Sequence, residues 1–166
     1  MYYVLDLKKK TDLAKFNKLK GDLIFLNIAK EIAKMSHCVS HKVGALIVKE
    51  KRIISTGYNG TPKGFINCCD IFDEKNYDRE VHHSFSEMYE IHAEMNAIFF
   101  AAKNDISINN ADVYCTLHPC NQCLKNLCNC SIKNIFYEDD YDKFENDQKI
   151  LDMLNSCDVN LVKIIR

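Results

Sequence analysis

No apolar run in these 166 residues is long enough to span a bilayer, which excludes a helical membrane protein. Charge of one sign is lacking too. Lys and Arg number 22 against 23 Asp and Glu, a net −1 without the basic footprint of a nucleic-acid binder. The opening "MYYVLDLKKKTDLAKF" lacks the basic, apolar, small order of a secretory signal, so we expect a soluble, intracellular protein. No internal repeat, low-complexity tract or linker divides the chain, and its length suits one domain with a real core. Proline is scarce: Pro62 and Pro119 are the only two, and both fall in motifs that matter below.

Cysteine is the exception to this sparseness. Nine are present, an odd count without a signal peptide, which argues against a disulfide framework and for metal or reactive thiols. Cys115, Cys128, Cys130 and Cys157 stand apart from the clusters and read as small buried hydrophobes.

Residues 1–20 form a lysine-rich leader, read as solvated, and residues 21–166 one domain. "DLIFLNIAKEIAKMS" places Leu23, Leu26, Ile28 and Ile32 on one side of an amphipathic helix. "KVGALIVKEKRIISTGYNG" reads as a hairpin about the polar "KEKR". "TPKGFINCCDIFDEKNYDREVHHSFSEMY" shows no steady period and reads as a long loop, of the kind that is functional or held by something. Thereafter helix and strand alternate to the final "NLVKII". Crossover connections of this type imply a mainly parallel sheet covered by helices. With the hairpin, the expectation is an α/β, three-layer fold around a mixed five-stranded sheet.

In "YEIHAEMNAIFF", His92 and Glu94 are two apart at a helix start, where they do not face each other and cannot grip one ion together. In "TLHPCNQCL", Cys120 and Cys123 follow Pro119 at another helix start and share one face. Free backbone N–H groups and the helix dipole favour their thiolates. His92, Cys120 and Cys123 make three zinc ligands, and a zinc with three protein ligands keeps a position for water, as catalytic sites do. Glu94 then carries protons for that water rather than binding metal. His-Ala-Glu followed by Pro-Cys-x-x-Cys is the signature of the zinc-dependent base deaminases. His118, beside Pro119, reads as a rim residue.

From about Leu23 onward the chain resembles the deoxycytidylate (dCMP) deaminase family, and its phage-like members above all. "RIISTGYNGTPKG" is similar to the family's substrate-site segment, "EIHAEMNAI" and "TLHPCNQC" to its catalytic boxes, and "YEDDYDKF" to the segment whose tyrosine closes over the nucleotide. The resemblance implies a cytidine-deaminase-like fold and hydrolysis of dCMP to dUMP and ammonia, supplying thymidylate synthesis. It assigns Asn59 and Tyr141 to substrate contacts. It also implies a cytoplasmic homohexamer, in the host cytoplasm if the source is viral, activated by dCTP and inhibited by dTTP with magnesium.

The family's phage-type members carry a second, structural zinc. The ligands this carries over are Cys38, Cys68, His82 and Glu90, which would pin the long loop. Chemistry alone leaves the choice open within the neighbouring pairs Cys68/Cys69 and His82/His83. The insertion between "CCD" and the histidines is shorter here than in the fuller phage pattern. Two rival readings share the catalytic zinc motif or its metal. A nucleic-acid deaminase, acting on tRNA adenosine or single-stranded DNA cytosine, would need a basic groove, which the balanced charge does not favour. A catalytically inactive zinc-stabilised binding module would have no use for Glu94.

Overall fold

A computed structural model describes residues 2–6, 13–141 and 148–165. Six strands form one sheet in the order β1-β6-β5-β4-β2-β3. They are β1 (Tyr2–Asp6), β2 (Gly44–Lys49), β3 (Arg52–Tyr58), β4 (Asp112–Leu117), β5 (Asn134–Asp139) and β6 (Asn160–Ile165). The helices are α1 (Leu13–Ala33), α2 (Cys68–Ile71), α3 (Arg79–Tyr89), α4 (Ala93–Lys103), α5 (Asn121–Asn129) and α6 (Gln148–Ser156). β1, β6, β5 and β4 run parallel, while β2 is antiparallel to both β4 and β3.

The β2–β3 hairpin turns on Glu50 and Lys51, both at positive φ (50° and 61°), the backbone that a two-residue type I′ turn requires. From β4 onward every connection is a helical crossover, as the alternation in the sequence implies. The sheet is mixed, as expected, but has six strands rather than five. The extra one is β1, whose residues pair in parallel register with β6 from Tyr2↔Leu161 to Asp6↔Ile165. Part of the stretch read as a leader is therefore an edge of the sheet, and α1 begins at Leu13 within the same stretch. Lys8, Lys9 and Lys10 lie outside the described residues.

Helices cover both faces. On one, Leu26 and Ala29 of α1 pack with Leu46, Val48, Tyr114, Val162 and Ile164. Tyr114 anchors that helix: its ring lies 5.0 Å from Phe25, and its hydroxyl donates to Asp22 at 2.6 Å. On the other face, Ala93 and Ala97 of α4, Leu124 and Leu127 of α5 and Leu154 of α6 close over Ala45, Val113, Cys115, Ile135 and Leu161.

Two glycines let helices touch the sheet directly. A Cβ on Gly57 would sit 2.1 Å from the Ala93 carbonyl oxygen and 2.5 Å from the Ala97 nitrogen. One on Gly44 would sit 2.1 Å from the Ala29 carbonyl oxygen, under α1. Gly57 thus sets the depth of α4, the helix that opens with His92 and Glu94.

The segment read as one long loop holds two helices. Asp78 starts α3, its Oδ1 accepting from the Glu80 and Val81 backbone N–H groups at 2.8 and 3.0 Å. The helix escapes an apolar-period reading because His82 is its only fully buried residue. Its inward face, with Phe85, packs on a small satellite core of Cys38, Val39, Cys68, Phe72 and Tyr77.

Candidate active site and metal centres

Among the described residues, two groups of metal-type side chains come together. In the first, donor atoms of His92, Cys120 and Cys123 all lie within 4.8 Å of one another. His92 Nδ1 is 3.4 Å from Cys120 Sγ and 3.3 Å from Cys123 Sγ. Zinc–nitrogen and zinc–sulfur bonds of about 2.0 and 2.3 Å at a tetrahedral angle put N and S about 3.5 Å apart. The three side chains therefore fit a tetrahedral zinc with one position left over.

Local structure explains the convergence. His92 is the N-cap of α4 and Cys120 the N-cap of α5, both with extended backbone, and Cys123 lies one turn into α5. Pro119 ends the loop from β4 and aims α5 at α4. His92 is exposed, Cys120 half-buried and Cys123 buried, so the cluster opens to solvent on the histidine side. A hydrogen bond from Cys123 pulls Cys120 down to about 3, against burial and with help from His92, while holding that proton pushes Cys123 up. A ready thiolate beside an imidazole is a metal-type donor pair.

Glu94 lies in the first turn of α4 and is 4% exposed. Burial raises its carboxyl above the ordinary range, opposed by its own backbone N–H and by His92. A carboxyl raised in this way holds a proton more readily than an exposed one, which suits a group that must both take up and release one. His118 is buried rather than on a rim. Its ring meets Tyr137 edge-on at 4.7 Å, and burial lowers it to about 4.

The second cluster gathers Cys38, Cys68, His82 and Glu90, again with donors within 4.8 Å of one another. Cys38 Sγ is 3.5 Å from His82 Nε2, and Phe72 and Tyr77 flank the imidazole at 5.2 and 5.1 Å. Ser86 Oγ donates to Glu90 Oε2 at 2.8 Å, while Oε1 is buried with no hydrogen-bond partner among the described residues. Burial pushes Cys38 up to about 12, raises Cys68 and lowers His82. Two buried thiols, a buried imidazole and an orphaned carboxylate oxygen are costly together without a cation, and they are a closed four-ligand donor set for zinc. The structure also separates the neighbouring pairs. Cys69 is exposed beside His37 (3.7 Å), and His83 is exposed on the outer side of α3 near Glu87.

Asn59 and Tyr141 are placed differently. Asn59 is buried, and its side chain is taken up by the backbone: Oδ1 accepts from Val43 N–H at 2.9 Å, and Nδ2 donates to the His41 carbonyl at 2.8 Å. Tyr141 is 40% exposed and lies against the His41 ring, with centroids 5.6 Å apart. His41 went unmarked in the sequence, where it is a lone histidine in a polar turn.

Of the four cysteines read as small hydrophobes, Cys115 and Cys128 are buried and Cys130 partly so. Cys157 is exposed instead, because it falls in the turn after α6.

The model of one family, described as the cytidine and deoxycytidylate deaminase zinc-binding region, matches residues 20–139. The deoxycytidylate deaminase of Enterobacteria phage T4 is 40% identical over 149 residues, 71% of this chain and 77% of that protein. ComE operon protein 2 of Bacillus subtilis is 36% identical over 127 residues, 75% of this chain and 62% of that one. Among solved structures, the dCMP deaminase of cyanophage S-TIM5 in complex with dCMP and dUMP superposes with a TM-score of 0.68. It is 29% identical, over 86% of this chain and 95% of that one.

Proposed function

The chain belongs to the cytidine and deoxycytidylate deaminase family, and from that premise we propose that it hydrolyses dCMP to dUMP and ammonia. The observation that carries the chemistry is the meeting of His92 Nδ1 with two cysteine sulfurs at 3.3 and 3.4 Å beside the buried Glu94. Similarity to phage enzymes that act on dCMP supports the substrate.

His92, Cys120 and Cys123 hold a catalytic zinc. When bound, zinc brings the pKa of a coordinated water down toward about 7 and so supplies a nucleophile at neutral pH. Glu94 takes the proton from the attacking water and delivers it to N3 of the cytosine as the C4–O bond forms. It then takes the remaining proton from the new C4 hydroxyl and passes it to the departing amine, so that the C4 carbonyl forms as the C4–N bond breaks and ammonia leaves. One carboxylate acts as base and then as acid, which its raised pKa suits.

Cys38, Cys68, His82 and Glu90 hold a second, structural zinc. The orphaned Oε1 of Glu90 and the satellite core around the cluster support this. Tyr141 contacts the substrate. Asn59 serves the same site through the backbone it holds at His41 and Val43. The family resemblance extends the reading to a homohexamer controlled by dCTP, dTTP and magnesium, working in the cytoplasm. Exposed Phe65, Met88, Tyr89, Phe99 and Phe100 are side chains that an assembly would cover. No helix among the described residues is long and apolar enough to cross a membrane.

The test is ammonia release from zinc-loaded protein offered dCMP, CMP, deoxycytidine and a cytosine-containing single strand in parallel. A strong preference for dCMP is expected. Turnover of the strand alone would overturn the substrate and keep the chemistry.

A further inference from the structure

A cleft of about 490 Å³ lies between α1 and the C-terminal ends of β4 and β5, lined by His41, Val43, Thr116, Leu117, Asp139 and Asp140 among others. In parallel α/β sheets, ligands settle outside the carboxyl ends of the strands. Here β4 ends in the cleft wall at Leu117 and the chain passes through His118 and Pro119 to Cys120, so cleft and first metal cluster share one strand end. His118 N–H donates to the Asp139 carbonyl at 2.8 Å, which ties the ends of β4 and β5 together beneath the opening.

His41, in the lining, meets a second ring, that of Tyr141. His41 and Tyr141 are both exposed, yet they pack against each other with centroids 5.6 Å apart and planes at 60°. Exposed aromatic faces over a ligand cleft are stacking platforms, and stacking on a nucleobase does not need hydrogen-bond partners. His41 is also fixed from behind. Asn59 donates to its carbonyl at 2.8 Å and accepts from Val43 N–H at 2.9 Å. Ser36 Oγ in turn donates to the Asn59 carbonyl at 2.8 Å. Asn59 and Ser36 are buried and spend their polar atoms on holding backbone. A turn held by two buried polar side chains, whose own ring is left in solvent, is built to present that ring.

We propose that His41 is a substrate contact: its imidazole, paired with Tyr141, packs against the bound nucleotide and sets its affinity. The inference rests on the deaminase reading above. It gives Asn59 a positioning role, one that acts on substrate through His41.

The test compares wild type with His41→Ala, His41→Phe and Asn59→Ala, all zinc-loaded, with zinc content and melting temperature recorded for each. His41→Ala is expected to raise KM for dCMP about tenfold while kcat and zinc content hold, the size of one lost stacking contact. His41→Phe should restore most of the affinity, because it keeps a ring face. Asn59→Ala should raise KM alone in the same direction. An unchanged KM in His41→Ala, or a loss that Phe does not recover, overturns the proposal. If wild type deaminates another cytosine substrate, the dCMP reading falls and the KM comparison is made on that substrate, with the same two outcomes deciding. If no substrate is turned over, calorimetric binding of dCMP decides: a weaker His41→Ala keeps the contact and equal affinities remove it.

Discussion

Glu90 closes α3 and His92 opens α4, with Ile91 alone between them. That single residue is tied on both sides to Gly60, Gly60 N–H to its carbonyl at 3.1 Å and Ile91 N–H to the Gly60 carbonyl at 2.8 Å. One residue of each metal cluster therefore hangs from the same pinned stretch of backbone. Glu90 also bears on both clusters electrostatically: its charge opposes the burial that lowers His82, and it adds a small part to the raising of His92, which the Cys120 hydrogen bond leads. The two centres are neighbours by covalent connection, and disturbing one should be felt at the other.

Glu90→Gln keeps the size of the side chain and removes its charge. The variant is expected to lose one metal per chain and to release the remaining zinc to a chelator about tenfold faster, the usual effect of losing a supporting partner. Glu87→Gln, exposed on the same helix, should change neither. Release kinetics followed with a colorimetric chelator decide it, and an unchanged rate for the remaining zinc would show that the centres are independent.

Cys68→Ala should lower the metal content by one per chain and cost about 4 kcal/mol or more of stability, the range in which loss of a structural metal falls. Cys69→Ala should do neither, because Cys69 is exposed and outside the cluster. Metal analysis with chemical denaturation separates them, and a metal loss in Cys69→Ala instead would reverse the assignment.

Glu94→Gln should keep its full zinc complement and lose turnover by about 10²- to 10⁴-fold in kcat, since an amide cannot carry the proton. Preserved turnover at full zinc would remove Glu94 from the chemistry. A fall in zinc content would instead make it a ligand.

Gly57→Ala adds a Cβ within 2.1 Å of the Ala93 carbonyl oxygen, so α4 must lift or the strand must bend. Overpacking of this kind costs about 1–3 kcal/mol, and here it also shifts the helix that carries His92 and Glu94. Gly60→Ala meets nothing within 4 Å and is the matched control. Denaturation midpoints and kcat should both drop for the first and hold for the second.

The first metal cluster and the architecture from β4 onward were legible because each depends on local pattern. His92 and Glu94, Cys120 and Cys123 sit at helix starts that their own neighbours announce, and the later strands alternate with periodic helices. What escaped depends on distant partners. The strand character of Tyr2–Asp6 is satisfied only by β6, at the other end of the chain. α3 carries a readable stripe at His82, Phe85 and Tyr89, spaced i, i+3, i+7, but histidine does not count as apolar and the stripe was lost. The choice between Cys68 and Cys69, or His82 and His83, is a matter of helix phase, which adjacent identical residues cannot reveal. His41 is marked only by what holds it, Asn59 from another strand end and Ser36 from the end of α1.

The pairing of β1 with β6 also orders events in time. Residues 2–6 are made well before their partners at 161–165, with all of β2 to β5 in between. Until then β6 is missing, and the early strand has no neighbour to join, because the sheet order puts β6 between it and β5. The α1–β2–β3 unit can gather during synthesis from contacts close in sequence, but that edge of the sheet closes only over a loop that spans every other strand. Contacts of such separation form slowly. The nascent protein therefore carries β1 unpaired until β6 has been made, a stretch for which a chaperone or a neighbouring copy would compete.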